Sequence, residues 1–285
     1  MNTRLSRLLE TGSINDQGGP LMRLEAIDPD IHVLVGETYH SNSTVFINGK
    51  EALLIDGMAS RKDAEELREF VETQLEKRVH FIVCTHYFSD HLAALKLFPS
   101  ATIIAHKNYM HTFASERYRS EEEEANFVEP DILISESMTI RWGRHTLDIF
   151  HNPGHTMSTL GIDIPEADLL IAGDTIVGNM VYMSYSAPEM FLPALKRLQR
   201  RGRSRFLTSH MGMRTSDAID NALIYLERLR ENVKAARQSS ENGDSILEIE
   251  LEDCLPDGIK GTSFEALFHK RNLESIIERK LFAQA

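Results

Sequence analysis

Thr85-His86-Tyr87-Phe88-Ser89-Asp90-His91 follows directly on the apolar run His80-Phe81-Ile82-Val83-Cys84. The run reads as a strand. Two imidazoles and a carboxylate then fall within six residues. A strand that ends in side chains of this kind places metal-ligand atoms on a rigid edge.

Upstream, Ile31-His32-Val33-Leu34-Val35 is a strand. Ser43–Ile47 and Ala52–Asp56 form a hairpin through the turn Asn48-Gly49-Lys50, because Asn-Gly between apolar runs favours a tight turn. Residues 61–77 carry Ala64, Leu67, Phe70, Val71 and Leu75 at helical spacing. Downstream, a short helix is expected near 91–97 and a strand at 101–105. Residues 106–128 are expected to be helical and end in a loop, forming a lid or an oligomer contact. The Glu121–Glu124 run reads as a solvated helix face. Further strands are expected at 138–140, 146–150, 159–163, 169–172 and 205–208, with helices over 189–201 and 215–238.

Residues 1–30 read as a polar lead-in and 31–240 as the main domain. Residues 241–285 read as a helical extension that packs on the domain or on a second subunit. In that extension Phe264, Leu267, Phe268, Leu273, Ile276, Ile277 and Leu281 recur at helical spacing. The two halves echo each other: Leu54-Ile55-Asp56-Gly57 and Ala172-Gly173-Asp174 each close a strand with a carboxylate before a helix and a further strand.

The 285 residues are 42% apolar and 26% charged, enough to bury a core. A formal net charge of −12 argues against a broad nucleic-acid surface or binding to anionic membranes. Cys84 and Cys254 are too few for a disulfide framework, and Cys84 reads as core. The N-terminus shows no signal-peptide pattern and no stretch reaches the roughly 20 apolar residues of a membrane span, so a cytoplasmic setting is expected.

His155 in Pro153-Gly154-His155-Thr156, Asp174, His210 in Ser209-His210-Met211 and Asp56 all follow strands. Singly each is weak, since Asp-Gly after a strand is commonly a turn and a lone histidine commonly makes only hydrogen bonds. In this order, however, His86-x-x-x-Asp90-His91, Gly154-His155-Thr156, Gly173-Asp174 and Ser209-His210 resemble the metallo-β-lactamase superfamily over roughly residues 31–212. The resemblance implies an α/β fold: an αββα sandwich of two mixed β-sheets flanked by helices, with a metal site at one edge.

It also implies roles. His86 and His155 match first-metal ligands, and Asp90, His91 and His210 match second-metal ligands. Asp174 matches the bridging carboxylate. Asp56 matches a buried carboxylate that orients ligands. Phe88 stands where the family has another first-metal histidine, and a phenyl ring has no lone pair to donate. The first site is therefore expected to be weakened or rebuilt with Tyr87, Ser89, His151 or His40, and the second to be whole. One or two zinc ions are expected, with iron or manganese as other ions such a donor set accepts.

The activity implied is hydrolysis of a small molecule by metal-activated water at an ester, thioester, lactone or activated aromatic C–O or C–halogen bond. Asp90 and Asp174 are the proton-handling candidates. A catalytically impaired binding protein is the alternative. An oxidoreductase fits less well, because flavodiiron proteins place glutamate where Phe88 stands. Tyr87, Phe88, Met180 and Tyr182 are the pocket candidates. The Met- and Tyr-rich segment 179–185 either lines the pocket or packs beneath a loop or at a dimer contact. A homo-oligomer is the expected assembly.

Overall fold

A computed structural model describes residues 22–116, 119–183, 185–239 and 244–282. The first sheet has seven strands in sequence order. Strands β1 (Arg23–Asp28), β2 (Ile31–Val35), β3 (Asn42–Asn48) and β4 (Glu51–Ile55) pair antiparallel. Strands β5 (Arg78–Val83), β6 (Thr102–His106) and β7 (Ile132–Ile134) continue in parallel from β4.

The second sheet runs in the order β13-β12-β11-β10-β9-β8. Its strands are β8 (Ser137–Trp142), β9 (His145–His151), β10 (Leu160–Ile164), β11 (Leu169–Ile171), β12 (Arg205–Leu207) and β13 (Met213–Thr215). Among the described residues of this sheet, β11 and β12 pair in parallel and the other pairs are antiparallel. Both sheets are thus mixed.

The helices are α1 (Arg61–Arg68), α2 (Tyr109–Ser115), α3 (Glu121–Ala125), α4 (Pro188–Gln199), α5 (Asp217–Ser239), α6 (Leu251–Cys254) and α7 (Ser263–Glu278). Three apolar clusters separate the layers. Val33, Phe46, Leu53 and Val83 meet Leu147, Ile149, Ile162 and Ile171 between the sheets. Leu54 and Ile82 pack with Leu67 and Phe70 of the α1 segment on one outer face. Leu170 and Phe206 pack with Phe191, Tyr225 and Ile276 on the other. Central strands covered on both faces read as unbroken apolar runs, as β2, β4 and β11 do.

The echo between the halves is topological. Strand β4, α1 and β5 form one parallel crossover, and β11, α4 and β12 form another. Each delivers its strand ends to the same edge of the sandwich. There the bridge between Ser41 and His210 and the bond from Asn42 N to Ser209 O (2.7 Å) join the two sheets.

Several sequence expectations change. Arg23–Asp28, placed in the lead-in, pairs with β2 as an edge strand, and the remainder of that lead-in up to residue 21 lies outside the described residues. The helix expected at 91–97 is two separate short turns, Ser89–His91 and Leu95–Leu97. Residues 106–128 hold two short helices rather than one. The α1 helix passes into a wider turn over Glu69–Gln74 before ending. Strands β7 and β13 have three residues each, too short for an alternating pattern to show. The helix α7 buries Phe268, Leu273 and Ile276 in the same cluster as Tyr225 and Phe191, so it packs on this chain's own second sheet. Among the described residues no helix is long and apolar enough to cross a membrane.

Candidate metal centre

Asp56 closes β4 in a left-handed backbone conformation (φ 60°), sparsely populated for a residue with a side chain. Its carboxylate ties three strand ends together. Oδ1 accepts from Thr85 N (2.7 Å), and Oδ2 accepts from Thr85 Oγ1 (2.7 Å) and Ser209 Oγ (2.9 Å). The next residue, Gly57, donates to His91 O at 2.7 Å, and a Cβ there would stand 3.0 Å from that oxygen. Glycine therefore lets the turn carrying His91 press against β4.

The four imidazoles share one orientation. Each turns Nδ1 outward and Nε2 inward, and in three of them Nδ1 meets a fixed partner. His86 Nδ1 faces Thr85 Oγ1 (3.2 Å), His155 Nδ1 donates to Tyr182 O (3.0 Å) and His210 Nδ1 donates to Tyr39 O (2.8 Å). His91 Nδ1 lies 3.3 Å from Asp56 Oδ2, outside hydrogen-bond geometry. A partner at the rear nitrogen is how proteins hold an imidazole in the tautomer and direction a metal needs.

The inward atoms fall into two groups that share Asp174. One is Asp90, His91, Asp174 and His210, and the other is His86, His155 and Asp174; within each, the ligand-type atoms lie within 4.8 Å of one another. Asp174 Oδ2 is 3.0 Å from His210 Nε2, 3.7 Å from His91 Nε2 and 3.9 Å from His86 Nε2. Asp90 Oδ1 is 3.4 Å from His91 Nε2 and Asp90 Oδ2 is 3.6 Å from His210 Nε2. Asp174 itself sits in the tight turn Gly173–Thr175, where Gly173 takes φ +59°.

Among the described residues His86 Nε2, His91 Nε2, His155 Nε2 and Asp174 Oδ1 are buried without a hydrogen-bond partner. Burying polar atoms in that state is costly. Four such atoms converging on one place, with imidazole and carboxylate donors, fit a divalent cation.

Electrostatics separates the groups. Burial lowers His86 well below the usual histidine range, helped by the His91 charge, and burial lowers His155. Burial also opposes charge on His91 and His210. There the carboxylates outweigh it: Asp90, Asp56 and Asp174 raise His91 well above its usual value, and Asp174 raises His210. Asp174 is driven well down by the His210 and His91 charges, against the effect of its burial.

The pocket candidates divide. Phe88 and Tyr182 line the cleft that opens on Asp90, Asp174, His155 and His210. Phe88 lies edge-on to both first-group imidazoles, 5.2 Å from the His86 ring and 5.3 Å from the His155 ring between centroids. It stands at the open side of that group.

Tyr87 and Met180 are corrections, because neither lines the cleft. Tyr87 is fully buried beside Tyr109 and Phe127, and donates to Val128 O at 2.5 Å. The side chain after His86 turns away from the cleft into the core. Met180 is fully buried in the cluster under the second sheet and its backbone bridges Val177.

None of the candidate replacements for the missing histidine joins the first group. Ser89 Oγ donates to Glu116 Oε1 (2.7 Å), His151 stacks on His106 at 3.9 Å, and His40 packs against Phe264.

Sequence reasoning missed Glu116, Glu123, Tyr39, Phe268 and Arg271, all of which line the cleft. Phe268 stood out only as an apolar helical position. Arg271, one turn further along α7, had no local signal at all. The helix reaches the site through Asn272. Its Oδ1 accepts from Met183 N (2.8 Å) and its Nδ2 donates to Val181 O (2.7 Å) and Tyr225 Oη (3.0 Å). These bonds bracket Tyr182, whose carbonyl holds His155. Segment 179–185 therefore serves both expected ends, with Tyr182 and Tyr185 on the cleft and Met180 beneath it.

An αββα sandwich with this edge site defines a class, and a family profile, the metallo-beta-lactamase superfamily, matches residues 36–210. The chain belongs to that superfamily. It is 26% identical over 166 residues to a "Metallo-beta-lactamase type 2" of Bacillus cereus, covering 58% of this chain and 61% of that protein. It is 27% identical over 151 residues to a "Hydroxyacylglutathione hydrolase" of Bartonella henselae, covering 50% and 54%. The chain thus spans little more than half the length of these relatives. Among solved structures, a metallo-beta-lactamase from Pontibacter korlensis shares the fold with a TM-score of 0.60 at 19% identity, over 70% of this chain and 95% of that one.

Proposed function

We propose that the chain is a metal-dependent hydrolase of a small-molecule substrate. The carrying observation is the convergence of four buried, unpartnered ligand atoms at the sandwich edge. Asp90, His91, Asp174 and His210 would hold one ion, and His86, His155 and Asp174 a second, more weakly. Zinc suits this donor set, and iron or manganese are the next candidates. A divalent cation there supplies Lewis acidity toward a substrate oxygen and lowers the pKa of water.

The residues have separate tasks. Asp56 locks the strand ends behind the ligands through its bonds to Thr85 and Ser209. Asp90 is the more open carboxylate, its side chain 21% exposed against 6% for Asp174, and so is placed to accept a proton from an attacking water on the cleft side. Phe88 and Tyr182 exclude water from the first-group side. The bond cleaved would be an ester, thioester, lactone or activated aromatic C–O or C–halogen bond. The second reading is a binding protein without turnover, and Phe88 is the observation that favours it.

The test is metal analysis of purified full-length protein together with a hydrolysis panel over those bond types. Bound metal plus a hydrolytic activity lost in His91→Ala and His210→Ala supports the proposal. Absence of metal uptake on adding zinc, manganese or iron overturns it. Metal uptake with no turnover across the panel moves the reading to the binding protein.

A further inference from the structure

The cleft wall is an unbroken series of rings. Phe88 meets Tyr185 at 4.5 Å between centroids, Tyr185 meets Tyr182 at 6.2 Å, and Tyr182 meets Phe268 at 4.7 Å. The series starts at the His86 and His155 imidazoles and ends on α7. Phe88, Tyr182 and Phe268 each expose less than a tenth of their surface, so the opening between them is narrow. Narrow aromatic walls admit thin, flat groups and stack on them, while bulky saturated groups meet the ring edges.

Charge at the outer end is specific. Four carboxylates open on the cleft, and each has a partner: Asp174 and Asp90 the site imidazoles, Glu116 the Ser89 hydroxyl and amide, and Glu123 the Ser120 amide (2.7 Å). Arg271 also lines the cleft, with its guanidinium carbon 5.1 Å from the Phe268 ring centroid. It makes no hydrogen bond or ion pair with the described residues. A guanidinium laid against the last ring of the wall, with its donors uncommitted, is preorganised for a planar anion.

We propose that the cleft takes a small planar aromatic substrate carrying an anionic substituent, with the anion on Arg271 and the reacting group at the Asp90/Asp174 end. The proposal rests on the hydrolase reading for which end reacts, but not for recognition. The aromatic wall sets the ring's plane. Arg271 sets how deep the molecule sits, because Glu116 and Glu123 disfavour the anion elsewhere along the rim. The helix α7 is then a specificity element, delivered to the site from far along the chain.

Three probes separate the parts: 4-carbamoylbenzoate, the neutral terephthalamide and trans-4-carbamoylcyclohexane-1-carboxylate, with affinities measured calorimetrically on the full chain, zinc-loaded and metal-free. 4-Carbamoylbenzoate is expected to bind about tenfold or more tighter than terephthalamide, the scale of one charge-assisted contact. Arg271→Gln should erase that ratio while leaving metal content, thermal unfolding and terephthalamide affinity unchanged. 4-Carbamoylbenzoate should also outbind the cyclohexane monoanion. Equal affinity for 4-carbamoylbenzoate and terephthalamide, or an undiminished ratio in Arg271→Gln, overturns the anion site. Equal affinity for the aromatic and saturated monoanions overturns the planar selection. Failure of the protein to take up zinc sinks the hydrolase reading alone, because the same ratios on the metal-free chain still decide the role of Arg271.

Discussion

The two ligand groups share Asp174 and differ in almost everything else. The second group combines two imidazoles with two carboxylates, and its histidines are pushed up by surrounding negative charge. The first combines two imidazoles with only a share of Asp174, its histidines are pushed down by burial, and a phenyl ring closes its open side. A cation entering the second group gains from carboxylates already concentrated there. One entering the first finds lone pairs that are free but little charge. One residue, Phe88, removes a donor while the imidazoles keep their direction.

The largest test of that comparison is Asp174→Ala. As the common member, its loss should empty both groups and lower hydrolysis by roughly 10³-fold or more, on the scale of losing a principal catalytic electrostatic contact. Retained metal in that variant would break the description of a shared carboxylate. Asp90→Asn is the companion, expected to cost roughly 10²–10⁴-fold in turnover if the residue accepts the proton.

Phe88→His comes next. It restores a donor at the open side and should raise the bound ion count from about one to about two per chain, since three protein donors suffice for zinc. An unchanged count, with the variant folded, would mean the site is set by something other than donor number.

Asn272→Leu probes the first group from a distance. Without the bracket around Tyr182, His155 loses its fixed acceptor, and first-group metal affinity should fall roughly 10–100-fold while the second group is unaffected. Competition with a chelator reads this directly. An equal loss at both groups would show general destabilisation instead.

Proton counting sharpens the contrast further. In the metal-free protein the surrounding carboxylates raise His91 and His210 above their usual value, whereas burial lowers His86 and His155. The second group's pair therefore keeps protons to higher pH than the first group's, and metal must displace them. Uptake by the second group should release more protons than uptake by the first at the same pH and depend more steeply on pH, strengthening as pH rises. Calorimetry in buffers of different ionisation enthalpy measures the difference.

The smallest effect lies outside the site. Burial and the facing His151 ring push His106 down to about 4. A histidine lowered in the folded state contributes stability above its unfolded pKa, near 6.5. That contribution is lost as pH falls from there through about 4. The effect, discounted for solvent screening of a partly exposed pair, is about 1 kcal/mol. Chemical denaturation of His106→Gln should show a flatter stability profile between pH 6.5 and 4.

How much of this was legible depended on range. The strands β2, β4, β5 and β11 announced themselves through apolar runs, and the hairpin through Asn48-Gly49, because those signals arise within a few residues. The short strands β7 and β13 carry too few residues to show a period, and β1 looked like a lead-in because its face is only half buried. In the site, His86, Asp90, His91, His155, Asp174 and His210 were readable as residue types closing strands. Tyr87 was misplaced because proximity in the chain to His86 does not fix which way a side chain faces, and its ring packs in the core. Glu116, Phe268 and Arg271 could not be found, since each reaches the cleft from a helix or loop whose docking depends on contacts across the chain.

By itself the sequence determined the class of fold, the chemistry held at each strand end and the loss of one donor at Phe88. These are local properties, set by backbone periodicity and side-chain type. The resemblance already implied two ligand groups sharing Asp174; only the tertiary structure decided that four of their atoms converge buried and unpartnered, that among the described residues no other side chain joins the first group in place of the lost donor, and that α7 supplies Phe268, Arg271 and the Asn272 bracket. Those outcomes depend on how two sheets and a distant helix pack, and packing energy is shared among residues that have no proximity in the chain.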